Sequence, residues 1–140
     1  MLTVPRLLDE LVAAGRWPRD STEAMAQNLK SLAPPERIQA LAPEEQWLYL
    51  LPPPFYTVRQ KSEGNPFWFS DMAAPRGIDF DLALDIGDFG LGSDAPILLD
   101  YREDAANPRV MRLQWAGNGK ANEWVVMAPD FVSFVAALGL

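Results

Sequence analysis

The chain has 140 residues, of which 49% are apolar, a formal net charge of −7, and neither cysteine nor histidine. That length suits one domain with a sizeable core, and the missing residues exclude a disulfide framework, a thiolate zinc site and any Ser–His or Cys–His nucleophile pair. The acidic balance disfavours a nucleic-acid binder, which carries a basic face. No apolar run approaches the roughly 18 residues of a membrane span. The opening residues Met1-Leu2-Thr3-Val4-Pro5-Arg6 lack a charged region followed by a long apolar stretch. No signal peptide is therefore expected, and the cytoplasm is the expected compartment.

In chain order, Thr3 can cap a first helix with Pro5 in its opening turn. Leu7, Leu8, Leu11 and Val12 fall on one helical face, and Gly15 is a natural stop. After the turn Trp17-Pro18-Arg19-Asp20, Ser21 or Thr22 caps a second helix reaching about Leu32. Met25, Leu29 and Leu32 form its apolar stripe, which reads as core packing. Pro34-Pro35 opens a short third helix through Leu41. Gln46 to Leu51 reads as a strand, stopped by Pro52-Pro53-Pro54 acting as a stiff connector. Thr57 to Lys61 can be helical, Gly64-Asn65-Pro66 is a turn, and Phe67-Trp68-Phe69 reads as an aromatic plug under a loop. Asp79 or Asp81 can cap one helical turn, and Ala83 to Gly87 is a strand. Ile97–Tyr101, Val110–Trp115 and Glu123–Met127 are three strands of a meander.

Alternation places Ile97, Leu99 and Tyr101 opposite Met111, Leu113 and Trp115. If Leu99 pairs with Leu113, Asp100 lies across from Arg112, a contact worth under ~1 kcal/mol if exposed. Pro129-Asp130 opens a last helix with Phe131, Phe134, Val135 and Leu138 on one face, ended by Gly139. These elements define an α+β fold: a single domain over 1–140, with a mostly antiparallel sheet of about 4–6 strands. Residues 1–45 form a helical front, 46–128 the sheet and 129–140 the closing helix.

The segment from Ile86 to Arg102 combines glycines, aspartates and a strand. Gly87, Gly90, Gly92, Asp94 and Pro96 read as a structural loop that sets the chain's approach to Ile97-Leu98-Leu99. It lacks the Lys-Ser/Thr of a phosphate loop and precedes a strand, not a helix. Asp88-Phe89-Gly90 matches a kinase tripeptide in a chain too short for a kinase. Asp85, Asp88 and Asp94 could converge on an ion, but the EF-hand pattern is missing. Neither a metal nor a cofactor is expected, and no catalytic residue is assigned. An enzyme built on paired aspartates has no motif in its favour.

The run Ile86-Gly87-Asp88-Phe89-Gly90-Leu91-Gly92-Ser93-Asp94-Ala95-Pro96-Ile97 is followed by Leu99-Asp100-Tyr101-Arg102. Then come Val110, Leu113-Gln114-Trp115, Asn122-Glu123-Trp124-Val125 and a closing Phe131–Phe134 helix. In order and spacing this part of the chain resembles the SUKH superfamily, the Smi/Knr-type proteins. Ala40 to Glu45 and Pro52-Pro53-Pro54-Phe55 extend the likeness weakly toward a bacterial subgroup. The resemblance implies a mostly antiparallel sheet flanked by helices and a binding role without catalysis. Many bacterial members look like immunity proteins that neutralise toxins of polymorphic or contact-dependent systems. A protein partner, such as a basic toxin domain, is therefore expected, met by a chain that is a monomer or weak homodimer. Candidate partner-binding residues are Asp85, Asp88, Asp100, Glu103 and Asp104. The alternative is a housekeeping interaction or scaffold domain of the same superfamily with no toxin partner.

Overall fold

A computed structural model describes residues 2–90 and 94–140. The front holds α1 (Arg6–Ala13), α2 (Ser21–Ala26) and α3 (Pro35–Leu41), and the chain closes with α5 (Phe131–Leu138). Between them lie β1 (Tyr49–Leu50), β2 (Tyr56–Thr57), α4 (Val58–Ser62) and three 3-10 turns. The strands β3 (Ala83–Asp88), β4 (Pro96–Asp100), β5 (Arg109–Gln114) and β6 (Glu123–Ala128) come next. All six strands join one antiparallel sheet in the order β1-β3-β4-β5-β6, with β2 also on β3. The expected α+β architecture is thus present. Among the described residues, no helix is long and apolar enough to cross a membrane.

Both faces of the sheet are covered. On one, Leu84, Ile86, Ile97, Leu99 and Val110 pack with residues of the helices, including Leu8, Ile38 and Phe134. On the other, Leu98, Met111, Leu113 and Trp124 pack with Val58 of α4 and with Trp68, Ile78 and Phe80. Every residue of β4 is consequently buried. A strand sandwiched in this way reads as a continuous apolar run, not as an alternation.

That second layer corrects the register expected between β4 and β5. Leu99 lies across from Val110, Asp100 from Arg109, and Ile97 from Arg112. The register is three residues from the expected one, and an odd slip sends every side chain to the other face. Met111 and Leu113 therefore accompany Leu98, not Leu99, and Trp115 is exposed. Arg112, expected across from Asp100, lies across from Ile97 and is buried.

The helix ends also differ from expectation. α1 starts after Pro5 without a side-chain cap, and the Thr3 carbonyl instead accepts from the Tyr101 hydroxyl at 2.9 Å. Asp20, not Ser21 or Thr22, caps α2 by accepting from the Glu23 N–H at 2.9 Å. α2 ends at Ala26, well short of Leu32, and the strand expected from Gln46 shortens to Tyr49–Leu50. Trp68 is a buried plug as expected, whereas Phe69 is exposed. The closing helix matches its reading. The Asp130 carboxylate accepts from the Ser133 N–H at 2.7 Å, and Gly139 takes the left-handed conformation, φ 74°, that ends it.

Candidate protein-interaction face

The candidate residues fall into two groups, interior and surface. Asp85 is 5% exposed and Asp100 is 2% exposed, so neither can meet a partner directly. This corrects their expected place on a binding face. Asp85 pairs with Lys61 of α4 at 3.1 Å and accepts from the Gly87 N–H at 3.3 Å. Burial pushes its carboxyl up to about 6, against the pull of the Lys61 ammonium. Asp100 accepts from Arg102 Nε at 2.9 Å and from Arg109 Nε at 3.2 Å. Burial raises its carboxyl, but those guanidinium hydrogen bonds outweigh burial and hold it below the usual carboxylate value. Asp100 thus clamps the two ends of the β4–β5 connection.

Glu103 and Asp104 are exposed on that connection. Glu103 reaches Arg109 at 3.4 Å. Asp104 shapes the turn, accepting from the Ala106 and Asn107 N–H groups at 2.9 and 3.1 Å. Asp88 is half-buried and accepts from the Ala95 N–H at 3.3 Å, tying the end of β3 to the start of β4. Gly87 is required there because an added Cβ would lie 2.8 Å from the Tyr49 carbonyl oxygen. Asp94 adopts φ 52° and Gly90 φ 107°, both in the left-handed region, and Pro96 begins β4 opposite Asp88. These residues lie at the corner between β3 and β4. Gly92 lies outside the described residues. Among the described residues no group of three or more carboxylates is arranged to hold a metal ion.

The most exposed apolar surface lies elsewhere. Met25 is 62% and Leu29 91% exposed, and Leu32 and Trp47 are exposed too. The stripe expected to pack in the core faces solvent: Met25 is exposed within α2 itself, and Leu29 and Leu32 follow after the helix ends at Ala26. The buried Gln27 amide donates to the Ala24 and Leu50 carbonyls and accepts from the Leu50 N–H, at 3.0, 2.8 and 2.8 Å. The Gln27 carbonyl in turn accepts from the Trp47 indole at 3.0 Å. Gln27 thereby draws Trp47 alongside the segment that carries Met25 and Leu29.

Acidic groups stand beside Trp47 in the chain. Glu44 pairs with the buried Arg112, whose guanidinium lies 5.9 Å from the centre of the Phe89 ring. Burial opposes ionisation of Glu44, but the Arg112 hydrogen bond holds its carboxyl below the usual value. At Glu45, burial and then the Glu44 charge push the carboxyl up, with Asp88 adding to the repulsion. Tyr49 pairs with Asp88 across the β1–β3 ladder. The result is a segment with exposed Met25 and Leu29 joined to Trp47 through Gln27, with Glu44 and Glu45 just ahead of Trp47 in the chain. An apolar centre with a charged border is the anatomy of protein interfaces.

Sequence reasoning missed Glu44, Glu45 and this patch. The one signal available was Gln27, a polar residue between the apolar positions of the supposed helix. Comparison with protein-family models, with curated proteins and with solved structures finds no match.

Proposed function

We propose that this chain is a non-enzymatic, SUKH-like immunity protein that acts in the cytoplasm by binding a toxin directly. The observation that carries the reading is the segment with exposed Met25 and Leu29 joined to Trp47 through Gln27, with Glu44 and Glu45 just ahead of Trp47 in the chain. Exposed apolar side chains gathered along one segment, here joined by the Trp47–Gln27 hydrogen bond, are a feature of association sites on proteins. A net charge of −7 favours rapid encounter with a basic partner such as a nuclease domain.

The test is co-expression with the product of any toxin gene found next to its own, together with a binding titration against that purified toxin domain. Protection of the cells and a complex that weakens as salt rises are the expected results. Normal killing in the presence of abundant folded chain would overturn the reading. Leu29→Ser and Trp47→Ala are expected to weaken the complex, while Glu103→Gln, on the β4–β5 connection, leaves it nearly unchanged.

A further inference from the structure

We propose that β6 is a self-association edge, on which two copies pair antiparallel about a two-fold axis through Val125 and join their sheets into one. The two edges of the sheet differ in a way that points there. At one edge, β1 and β2 are two residues each, with Pro52-Pro53-Pro54 between them. Short strands and prolines are the usual guards against edge pairing. At the other edge β6 runs six residues, Glu-Trp-Val-Val-Met-Ala. It has no lysine or proline, and no charge after Glu123. Among the described residues no strand lies beyond it, and no backbone hydrogen bond runs from Trp124, Val125 or Val126 to a segment other than β5. Outward N–H and C=O groups on such an edge are a template for another strand.

The occupant is set by the residue pattern. Trp124 and Val126 face the same side of the sheet, opposite Leu113 and Met111, while Val125 lies across from Arg112 and faces the other side. A two-fold axis through Val125, perpendicular to the sheet, preserves those sides. It sets Val125 against itself and Trp124 against Val126 of the second copy. Val126, 48% exposed in the single chain, then lies beside the backbone of the second copy's Trp124, whose own side chain stays in its core with the indole donating to the Ala73 carbonyl at 2.8 Å. Glu123 falls opposite Met127, so no carboxylate faces another, although the chain as a whole is strongly acidic. Met127 is an extra residue in the β5–β6 ladder, so register is carried by Trp124, Val125 and Val126. So short a ladder gives a weak dimer.

The native chain has no cysteine, so a single introduced thiol reports the register without background. Under mild oxidation, Val125→Cys is expected to form a disulfide dimer at least about tenfold faster than Val126→Cys, because only the residue on the axis meets its own copy at bridging distance. Sedimentation of the native chain should show a mass that rises with concentration. Val126→Lys, which places a charge on the edge at an exposed position, should hold it at one chain with unchanged circular dichroism. Three results would each overturn the proposal: a native chain still monomeric at about 1 mM, equal or faster cross-linking of Val126→Cys, or a dimer that survives Val126→Lys.

Discussion

α2 and α5 present the same pattern on paper and opposite outcomes in the fold. Each comes after an aspartate cap and carries apolar residues at helical spacing. In α5 the stripe Phe131, Phe134, Val135 and Leu138 is buried, and the aromatic pair sits with ring centres 6.0 Å apart. In α2 the helix stops at Ala26, and Met25 and Leu29 face solvent. The two diverge in the residues beyond the cap. α5 continues to Gly139 with Ser133 as its one polar residue, off the buried stripe, whereas α2 meets Gln27, whose amide satisfies both backbone groups of Leu50. A buried amide with full hydrogen bonding outweighs one more turn of marginal helix, because short helices draw their stability from packing. An apolar stripe is therefore evidence of burial only where nothing inside it has a better partner elsewhere.

The largest effect expected from breaking this comparison is at α5. Phe134→Ala should destabilise the fold by about 3–5 kcal/mol, read from denaturant unfolding, because it leaves a cavity in the main core. Gln27→Ala comes next. It leaves the Leu50 N–H and C=O without the side chain that satisfies them, at about 2–3 kcal/mol by the same measurement.

Asp85 sharpens the contrast between a neutral and an ionisable buried anchor. Its carboxyl is raised to about 6 in the fold and returns to the ordinary range near 4 on unfolding. Its contribution is fully present below pH 4 and is lost as pH rises through about 6. Relative to Asp85→Asn, the native chain should lose on the order of 1–3 kcal/mol across that window. A flat difference between the two unfolding curves from pH 4 to 7 would contradict this. The smallest effect belongs to the exposed stripe. Leu29→Ser should change stability by less than about 0.5 kcal/mol, although it weakens partner binding if the patch is the interface.

The parts legible from sequence were those set by local chemistry. Asp130 and Gly139 delimit α5 because a carboxylate caps free N–H groups and glycine tolerates positive φ. The meander of β4, β5 and β6 and the corner around Gly87 and Pro96 arise from turn residues and short apolar runs. The α+β class rests on those signals alone.

Tertiary structure decided the rest. A second layer over the sheet, built from α4 and the 3-10 turns, buried Leu98, Met111 and Leu113 together. It thereby set a register three residues away from the one alternation by itself suggested, since both faces of β4 are apolar. The same packing took Asp85 and Asp100 off the surface, where charge alone had placed them, by bringing Lys61, Arg102 and Arg109 within ion-pair distance. It also buried Gln27 against Leu50 and left Met25 and Leu29 facing solvent. Local sequence specifies which backbone shapes a residue tolerates, but which side chains share a face depends on partners far away in the chain, and only the assembled fold supplies them.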